Sequence, residues 1–305
     1  MSTTTNVHIA DPVGSLEELL RKKSIQTLIK LAFDEDLGSG DFTTNAVTGS
    51  EERAEAIWIA KQEGVVAGLE FGRAVFQYLD PDLQWLPNVQ DGAHVKTGDR
   101  LVDIEGSCRA ILSAERIALN FVQRMSGIAT RTSQFTELLE DLPVRLLDTR
   151  KTVPGLRLLD KYAVSAGGGG NHRLGLYDLA MVKENHIIAA GGITHAVEQI
   201  RKARPDLKIE VETTTLEQVE QALACNVEFI MLDNMEPSLM AEAVRLVGGR
   251  AQTEASGNIS FGNIRKVAET GVNFISIGAL THSVEAFDIS QKLIKIDTES
   301  WKRRK

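Results

Sequence analysis

The 305-residue sequence has only two cysteines, Cys108 and Cys225, and they stand far apart without a C-x-x-C pair or a zinc-ligand pattern. A disulfide scaffold and a structural zinc site are therefore not expected, and a reducing compartment fits. No apolar run approaches the length of about 20 residues that a membrane span needs. The N-terminus has neither a basic start nor an apolar segment for export. We expect a cytoplasmic protein that does not enter a membrane.

An excess of positive charge is also missing, because the formal net charge is -8 at pH 7. Proteins that bind nucleic acid usually present a basic face to the phosphate backbone, so no nucleic-acid partner is expected. A small anionic substrate stays compatible, since a pocket can be basic within an acidic protein. The length allows one large domain or two modest ones.

Several common catalytic signatures are absent from the sequence. There is no G-x-S-x-G, no G-x-x-x-x-G-K-[ST] and no H-E-x-x-H, which excludes the usual serine hydrolase, P-loop and zinc protease patterns. The function must therefore come from residues that the fold brings together.

The first part of the chain has the pattern of a small antiparallel sheet with helices. Alternation from Arg53 to Lys61 predicts a strand, and helical spacing from Leu69 to Leu79 ends before Asp80-Pro81. A helix over Leu16 to Leu31, a loop from Asp34 to Thr44 and a long helix over Ser113 to Thr130 are also predicted. Turns are predicted at Asp91-Gly92, Gly98-Asp99 and Glu105-Gly106.

The second part alternates short apolar runs with helical stretches. The runs cover residues 144–147, 179–182, 209–211, 229–232, 250–253 and 274–277. This repeated βα pattern predicts a (β/α) barrel whose strand ends meet on one face. Six runs do not establish a closed eight-stranded barrel. An open doubly wound sheet is the alternative, although no G-x-G-x-x-G follows the first strand.

Cationic residues follow the first two of these runs. They are Arg150 and Lys151, next to Thr149, and then Arg173 and Lys183, with His172 beside them. An Arg fork matches carboxylate or phosphate geometry and Lys adds a mobile charge, so the set predicts an anion site. Any one of them alone would be read as a solvated surface charge. Lys151 or Lys183 could instead be the nucleophile of a Schiff-base aldolase.

Two carboxylates, Glu212 and Asp233, each end an apolar run. Carboxylates at such places hold Mg²⁺, usually through water, or bind sugar hydroxyls, and a salt bridge to the neighbouring cations is equally compatible.

Glycines mark two later strand ends and one internal run. Ser256-Gly257 and Gly278, the latter followed by His282, predict a phosphate-binding pair of loops, with ordinary turns as the alternative. Gly167 to Gly170 predicts a loop that orders over substrate.

The order of these motifs resembles a known family over nearly the whole chain. The similar segments are Asp36 to Thr44, Glu115 to Thr130, Thr149 to Arg157, Lys161 to Val164, Asn171 to Arg173, Lys183 to His186, Met231 to Met235, Glu254 to Gly257 and Gly278 to Ser283. The sequence is identified as a member of the quinolinate phosphoribosyltransferase family. It departs from the family pattern at Glu184, where Asp is expected, and at Asn258, where Gly is expected.

The resemblance implies a fold and an assembly. The expected fold is an N-terminal α/β sandwich, residues 1–126, followed by an incomplete seven-stranded α/β barrel of the type II phosphoribosyltransferase kind, residues 127–282. Residues 283–305 are expected to pack back on the first domain. The expected assembly is a homodimer or a larger oligomer in which one subunit covers the barrel mouth of the other.

The resemblance also implies an activity and residue roles. The reaction would join quinolinate to the phosphoribosyl group of phosphoribosyl pyrophosphate with loss of CO₂, using Mg²⁺ and no organic cofactor. Lys151, Glu212 and Asp233 would be catalytic, and the two carboxylates would also hold the ribose and, through water, the metal. The other expected substrate-binding residues are Thr149, Arg150, His172, Arg173, Lys183, Ser256, Gly257, Gly278 and His282, with Arg116 reaching in from the partner subunit. A related transferase with another substrate and a sensor without turnover are the remaining alternatives.

Overall fold

The computed structural model describes residues 13–297 of the chain. The strands are β1 (Arg53–Ala60), β2 (Gly64–Val65), β3 (Gln84–Pro87), β4 (His94–Val95), β5 (Arg100–Ser107), β6 (Arg145–Leu147), β7 (Ala180–Val182), β8 (Ile209–Thr213), β9 (Phe229–Asp233), β10 (Gln252–Ser256), β11 (Phe274–Ser276) and β12 (Ile289–Asp297).

The helices alternate with these strands in the second half of the chain. They are α1 (Leu16–Leu20), α2 (Lys23–Leu37), α3 (Phe42–Val47), α4 (Leu69–Leu79), α5 (Cys108–Glu137), α6 (Arg157–Ala166), α7 (Glu184–Ala190), α8 (Ile193–Ala203), α9 (Leu216–Ala224), α10 (Pro237–Val247), α11 (Ile264–Ala268) and α12 (Ala279–His282). Among the described residues, no helix is both long and apolar enough to cross a membrane.

The described chain divides into two compact units. The sheet unit contains residues 14–131, 154–168 and 283–297, and the barrel unit contains residues 13, 132–153 and 169–282. This grouping places residues 127–131 and 154–168 with the sheet unit, whereas the sequence assigned them to the second domain. The predicted domains, 1–126 with 283–305 and 127–282, stay a prediction, and residues 1–12 and 298–305 lie outside the described part.

The sheet unit is built on a four-stranded antiparallel sheet in the order β12-β1-β5-β3. Every second side chain of β1 is buried, among them the fully buried Trp58, which packs edge-on against Trp85 at 5.0 Å between ring centroids. The Nε1 of Trp58 donates to Gln291 Oε1 of β12 at 2.9 Å. The alternation that predicted β1 therefore reflects one apolar face and one half-solvated face.

Four of the predicted elements in this unit differ from the structure. The single helix predicted over Leu16 to Leu31 is divided at Arg21 and Lys22 into α1 and α2. The predicted turn at Glu105-Gly106 is wrong, because both residues lie within β5, where a Cβ on Gly106 would stand 2.8 Å from Asp80 Oδ2. The predicted loop over residues 34–44 is largely helical: α2 continues to Leu37, and Asp41 begins α3 by accepting the Thr44 N–H at 2.9 Å. The long helix is longer than predicted at both ends.

The barrel unit contains six parallel strands in the order β7-β8-β9-β10-β11-β6. From β7 to β11 each strand lies beside its predecessor in the chain, so the order never reverses as it would in a doubly wound sheet. The order favours the barrel over that alternative. A single parallel bridge from Leu147 to Gly170 extends the sheet beyond β6, at the place of a seventh strand. The edges β6 and β7 are not paired with each other in the described residues, as expected for an incomplete barrel.

The glycine run forms a turn after α6 and then joins the edge of the sheet, and its ordering over substrate stays a prediction. Gly167 ends α6, Gly170 lies at the sheet edge, and three of the four glycines are buried. A Cβ on Gly170 would stand 2.7 Å from Arg145 Nε and 2.9 Å from Leu147 Cδ2. Close packing, and not mobility, explains the glycine at this position.

Candidate active site

A cavity of about 820 Å³ opens at the carboxyl ends of the barrel-unit strands. This volume is in the range of small-molecule sites. Twelve of the residues predicted from sequence line it: Thr149, Arg150, Lys151, His172, Arg173, Lys183, Glu212, Asp233, Ser256, Gly257, Gly278 and His282. The barrel topology explains the convergence, since parallel strands place all these ends on one face.

Arg116 is the one predicted substrate-binding residue outside this cavity. It is exposed on α5 of the sheet unit and is not among the lining residues. Its predicted role depends on a second copy of the chain and stays a prediction.

Two guanidinium groups lie on the cationic side of the cavity. Arg173 is 5% exposed, its Nη1 donates to Leu179 O at 3.0 Å, and burial followed by the charge of Arg150 lowers its pKa. The buried Nε of Arg150 has no hydrogen-bond partner among the described residues. An unsatisfied buried guanidinium N–H is costly, and a carboxylate matches its fork in geometry and charge.

The backbone beside these cations is fixed by a buried carboxylate, Asp148. It accepts the His172 N–H at 2.8 Å and the Asn171 Nδ2 at 2.9 Å. The residue that directly follows β6 therefore orders the segment that carries His172 and Arg173.

The imidazole of His172 lies between protein groups on both sides. Its Nδ1 accepts the Arg173 N–H at 2.7 Å, and its Nε2 lies 3.1 Å from Glu210 Oε2 and 3.3 Å from Glu254 Oε2. Burial lowers the pKa of His172, but the two carboxylates outweigh it and raise the pKa to about 10. Burial, and next the charge of Glu254, raise the pKa of Glu210.

The raised pKa of His172 and the hydrogen bond that its Nδ1 accepts lead to different protonation states of the imidazole. A raised pKa of His172 alone would protonate both ring nitrogens, whereas Nδ1 must stay unprotonated to accept the Arg173 N–H. The contact favours a neutral ring with its proton on Nε2.

On the acidic side of the cavity, Glu212 accepts from Lys183 Nζ at 2.5 Å. The salt bridge named as the alternative for this carboxylate is therefore present. Burial raises the pKa of Asp233, the hydrogen bond from Asn234 lowers it, and the charge of Glu212 raises it further, so the pKa lies above its ordinary value. The negative charge of Glu212 therefore acts on Asp233, and a cation bound near both carboxylates would relieve this repulsion.

The glycines of the two late loops allow close packing. Gly257 has φ +92°, and a Cβ there would stand 2.2 Å from Asn234 Oδ1. A Cβ on Gly278 would stand 2.8 Å from Lys151 Cδ. Both loops thus need a residue without a side chain at this point.

Asn258, where the family pattern has Gly, adopts φ 51° and donates from Nδ2 to Asn234 Oδ1 at 3.0 Å. Asn tolerates the left-handed region better than most residues, so the substitution keeps the loop geometry.

Sequence reasoning missed several lining residues, including Ser276, Asn234 and Asn258. Ser276 ends β11, is 4% exposed, and its hydroxyl has no hydrogen-bond partner among the described residues. Its place at a strand end was a usable signal, since the other strand ends all contribute to the cavity.

Comparison with known proteins identifies the relationship. The family model of the quinolinate phosphoribosyl transferase N-terminal domain matches residues 41–126, and that of the C-terminal domain matches residues 128–292. A nicotinate-nucleotide pyrophosphorylase [carboxylating] of Oryza sativa is 44% identical over 98% of this chain and 83% of its own length. A probable enzyme of the same name from Synechocystis is 45% identical, covering 86% and 90%. The solved nicotinate-nucleotide pyrophosphorylase of Francisella tularensis has a TM-score of 0.87 at 36% identity and covers 93% of this chain and 100% of its own.

Proposed function

Because the chain belongs to the quinolinate phosphoribosyltransferase family, we propose that the barrel-unit cavity is the active site of that transferase. The reaction joins quinolinate to the phosphoribosyl group of phosphoribosyl pyrophosphate, in NAD biosynthesis. It gives nicotinate mononucleotide, pyrophosphate and CO₂. The observation that carries the proposal is the buried Nε of Arg150, which has no hydrogen-bond partner among the described residues, in a cavity that Arg173 and the carboxylates of Glu212 and Asp233 also line.

The cationic side binds the two carboxylates of quinolinate. Arg150 and Arg173 present planar forks to them, and Lys183 adds a mobile charge. The Nζ of Lys183 also binds Glu212, so this ammonium group links the cationic side of the cavity to the acidic side. Holding both carboxylates aims the pyridine nitrogen at the ribose, which converts an encounter between two substrates into a reaction within one complex.

The acidic side faces the ribose. Glu212 and Asp233 accept its hydroxyls and stabilise the positive charge that develops at C1 as pyrophosphate departs. Lys151 neutralises the departing pyrophosphate. Ser256, Gly257, Gly278 and His282 hold the 5′-phosphate, to which the backbone N–H groups of the two late loops would donate.

The donor set of Glu212 and Asp233 also fits a divalent cation, because two carboxylates share one cavity wall and the pKa of Asp233 is raised in part by Glu212. Mg²⁺ held there through water would neutralise charge on the pyrophosphate. We propose no organic cofactor.

Bond formation and decarboxylation follow in order. The ring nitrogen bonds to C1, pyrophosphate leaves with the electron pair of the C1–O bond, and the nitrogen becomes positively charged. The bond to the 2-carboxylate then breaks, CO₂ leaves, and its electron pair stays on C2 beside the charged nitrogen until a proton is taken up there.

The assembly and the location belong to this proposal as well. A homodimer would bring Arg116 of a second copy to the quinolinate side of the cavity. The proposed location is the cytoplasm.

The purified protein is expected to turn over quinolinate, and not nicotinate, with phosphoribosyl pyrophosphate and Mg²⁺. Nicotinate lacks the second carboxylate that the paired guanidinium groups match. Chromatography of nicotinate mononucleotide together with CO₂ release measures the reaction. Product from nicotinate would leave the assigned fold intact but contradict quinolinate as the substrate. Quinolinate binding without pyrophosphate release would favour a sensor.

Glu212→Gln and Asp233→Asn are each expected to lower kcat by about 100-fold, because each removes a charge aimed at the developing positive centre. Steady-state kinetics at saturating substrates and Mg²⁺ measure the loss. Glu242→Gln is the matched control, since Glu242 is an exposed carboxylate on α10. Full turnover by both cavity variants would remove Glu212 and Asp233 from the chemistry.

A further inference from the structure

Two carboxylates lie one level below the cavity floor. Glu210 precedes the cavity residue Glu212 by two positions on β8, and Glu254 precedes Ser256 by two on β10. Residues two apart on a strand share a face, so both carboxylates point to the same inner face about 6.6 Å deeper along the strand. Both are fully buried at 0% exposure.

Their neighbours do not explain them as part of an ordinary core. Glu210 stands between Ile209 and Val211, and Glu254 is in register with Met231 and Phe274. Buried carboxylates are costly, and apolar residues of the same volume are often neutral or more stabilising. Neither Glu210 nor Glu254 lines the cavity, so neither contacts a substrate directly.

Their contact with His172 links them to the anion site. The imidazole reaches both carboxylates through Nε2, and through Nδ1 it accepts the backbone N–H of Arg173. The chain of contacts therefore runs from two barrel strands to the backbone of a guanidinium residue that lines the cavity. Both carboxylates lie within ion-pair distance of Nε2 and Nδ1 accepts the Arg173 N–H, so the orientation of the imidazole is limited from both sides and in turn limits where Arg173 leaves the backbone.

We propose that Glu210 and Glu254 are positioning residues of the quinolinate site, which hold His172 and through it Arg173 in the geometry that binds a dicarboxylate. The proposal rests on the proposed function, since it concerns the same substrate and the same cavity. It assigns His172 the role of a link between the buried carboxylates and Arg173. The substrate's carboxylates are then bound by the guanidinium groups and Lys183.

The test compares how a substitution of Glu254 changes the KM for quinolinate and the KM for phosphoribosyl pyrophosphate. Glu254→Gln is expected to raise the quinolinate KM, and the quinolinate Kd from calorimetry, by about tenfold, and to change the phosphoribosyl pyrophosphate KM by less than about twofold. If the amide introduced by Glu254→Gln directs its oxygen towards His172 Nε2, its NH₂ group points into the buried space between His172 and Glu210, where the second carboxylate oxygen had been. Because a buried charge is removed, the melting temperature should stay the same or rise.

The direction of the change in the quinolinate KM distinguishes positioning from a long-range electrostatic effect of the Glu254 charge. Removing a negative charge below a cationic site strengthens anion binding if the charge acts only at a distance. A quinolinate KM that falls or stays unchanged in Glu254→Gln would therefore overturn the proposal, as would an equal rise in both KM values.

A second variant keeps the charge and shortens the side chain. Glu254→Asp should also raise the quinolinate KM, since the shorter carboxylate no longer reaches Nε2 while the charge remains. An unchanged quinolinate KM in this variant contradicts positioning even if Glu254→Gln fails to fold.

The matched structural control is Thr253→Val. Thr253 is 2% exposed on the same strand and faces the other side, where its Oγ1 lies 3.1 Å from Asn273 Oδ1. This variant should lower the melting temperature and leave both KM values within about twofold of the parent. If wild-type protein does not turn over quinolinate at all, the proposed function fails first, and that result is distinct from a failure of positioning.

Discussion

Arg173→Ala is expected to lower kcat/KM for quinolinate by at least about 100-fold, mainly through a higher KM. The guanidinium is 5% exposed and held by Leu179 O, so it reaches the cavity with little freedom to lose on binding. Removing the Arg173 guanidinium leaves one carboxylate of the substrate without the group that can donate two parallel hydrogen bonds to it. Initial rates over a range of quinolinate concentrations, at saturating phosphoribosyl pyrophosphate, measure the loss.

A charge-conserving variant tests whether the fork matters. Arg173→Lys keeps the charge but supplies no planar pair of donors, so it should recover about tenfold of the lost activity and no more. Arg245→Ala, an exposed arginine on α10, should leave the kinetics unchanged. An unchanged kcat/KM in Arg173→Ala would remove this residue from the quinolinate site.

Gly127→Ala is expected to destabilise the sheet unit by about 3 kcal/mol, because overpacking against backbone cannot be relieved by a rotamer change. A Cβ at this position of α5 would stand 2.1 Å from Glu285 O and 3.3 Å from Phe287 N. In an unhindered helix interior the same change stabilises by about 0.5–1 kcal/mol, so the sign alone is informative. Scanning calorimetry measures it.

The control for this change is Gly262→Ala. Gly262 has no neighbour closer to a built Cβ than Ser260 Oγ at 3.9 Å, so its replacement should leave the melting temperature unchanged or slightly higher. A melting temperature of Gly127→Ala equal to that of the parent would show that residues 285–287 do not pack against this helix as the structure has them.

The sequence predicted the elements that have a clear period and a clear boundary. The alternation of β1 and the helix that ends before Asp80-Pro81 are both found where expected. The long helix was cut short because it begins directly after a strand: β5 ends at Ser107 and α5 begins at Cys108, with no loop between them to mark the boundary. Gly106 was read as a turn, since a pattern does not distinguish a glycine that bends the chain from one that makes room for Asp80.

For the site, too, the sequence predicted some residues and missed others. Side chains directly after apolar runs were predicted, because barrel strands deliver their last residues to one face. Glu210 was passed over as part of a strand, and Glu254 was read as part of a phosphate loop. Single-sequence patterns treat a charge as solvent-facing, and only the fold shows that both carboxylates meet one imidazole.

The pairing of β12 with β1 has a consequence for synthesis. Ile289 lies opposite Ala60, so the partner of β1 is made roughly 10–45 s after β1 at 5–20 residues per second. Until then the nascent chain carries an open strand edge with an unpaired backbone and a tryptophan that lacks its Gln291 acceptor. The N-terminal half made alone should associate edge to edge, and the exposure of this edge ends only when β12 has been synthesised and pairs with β1.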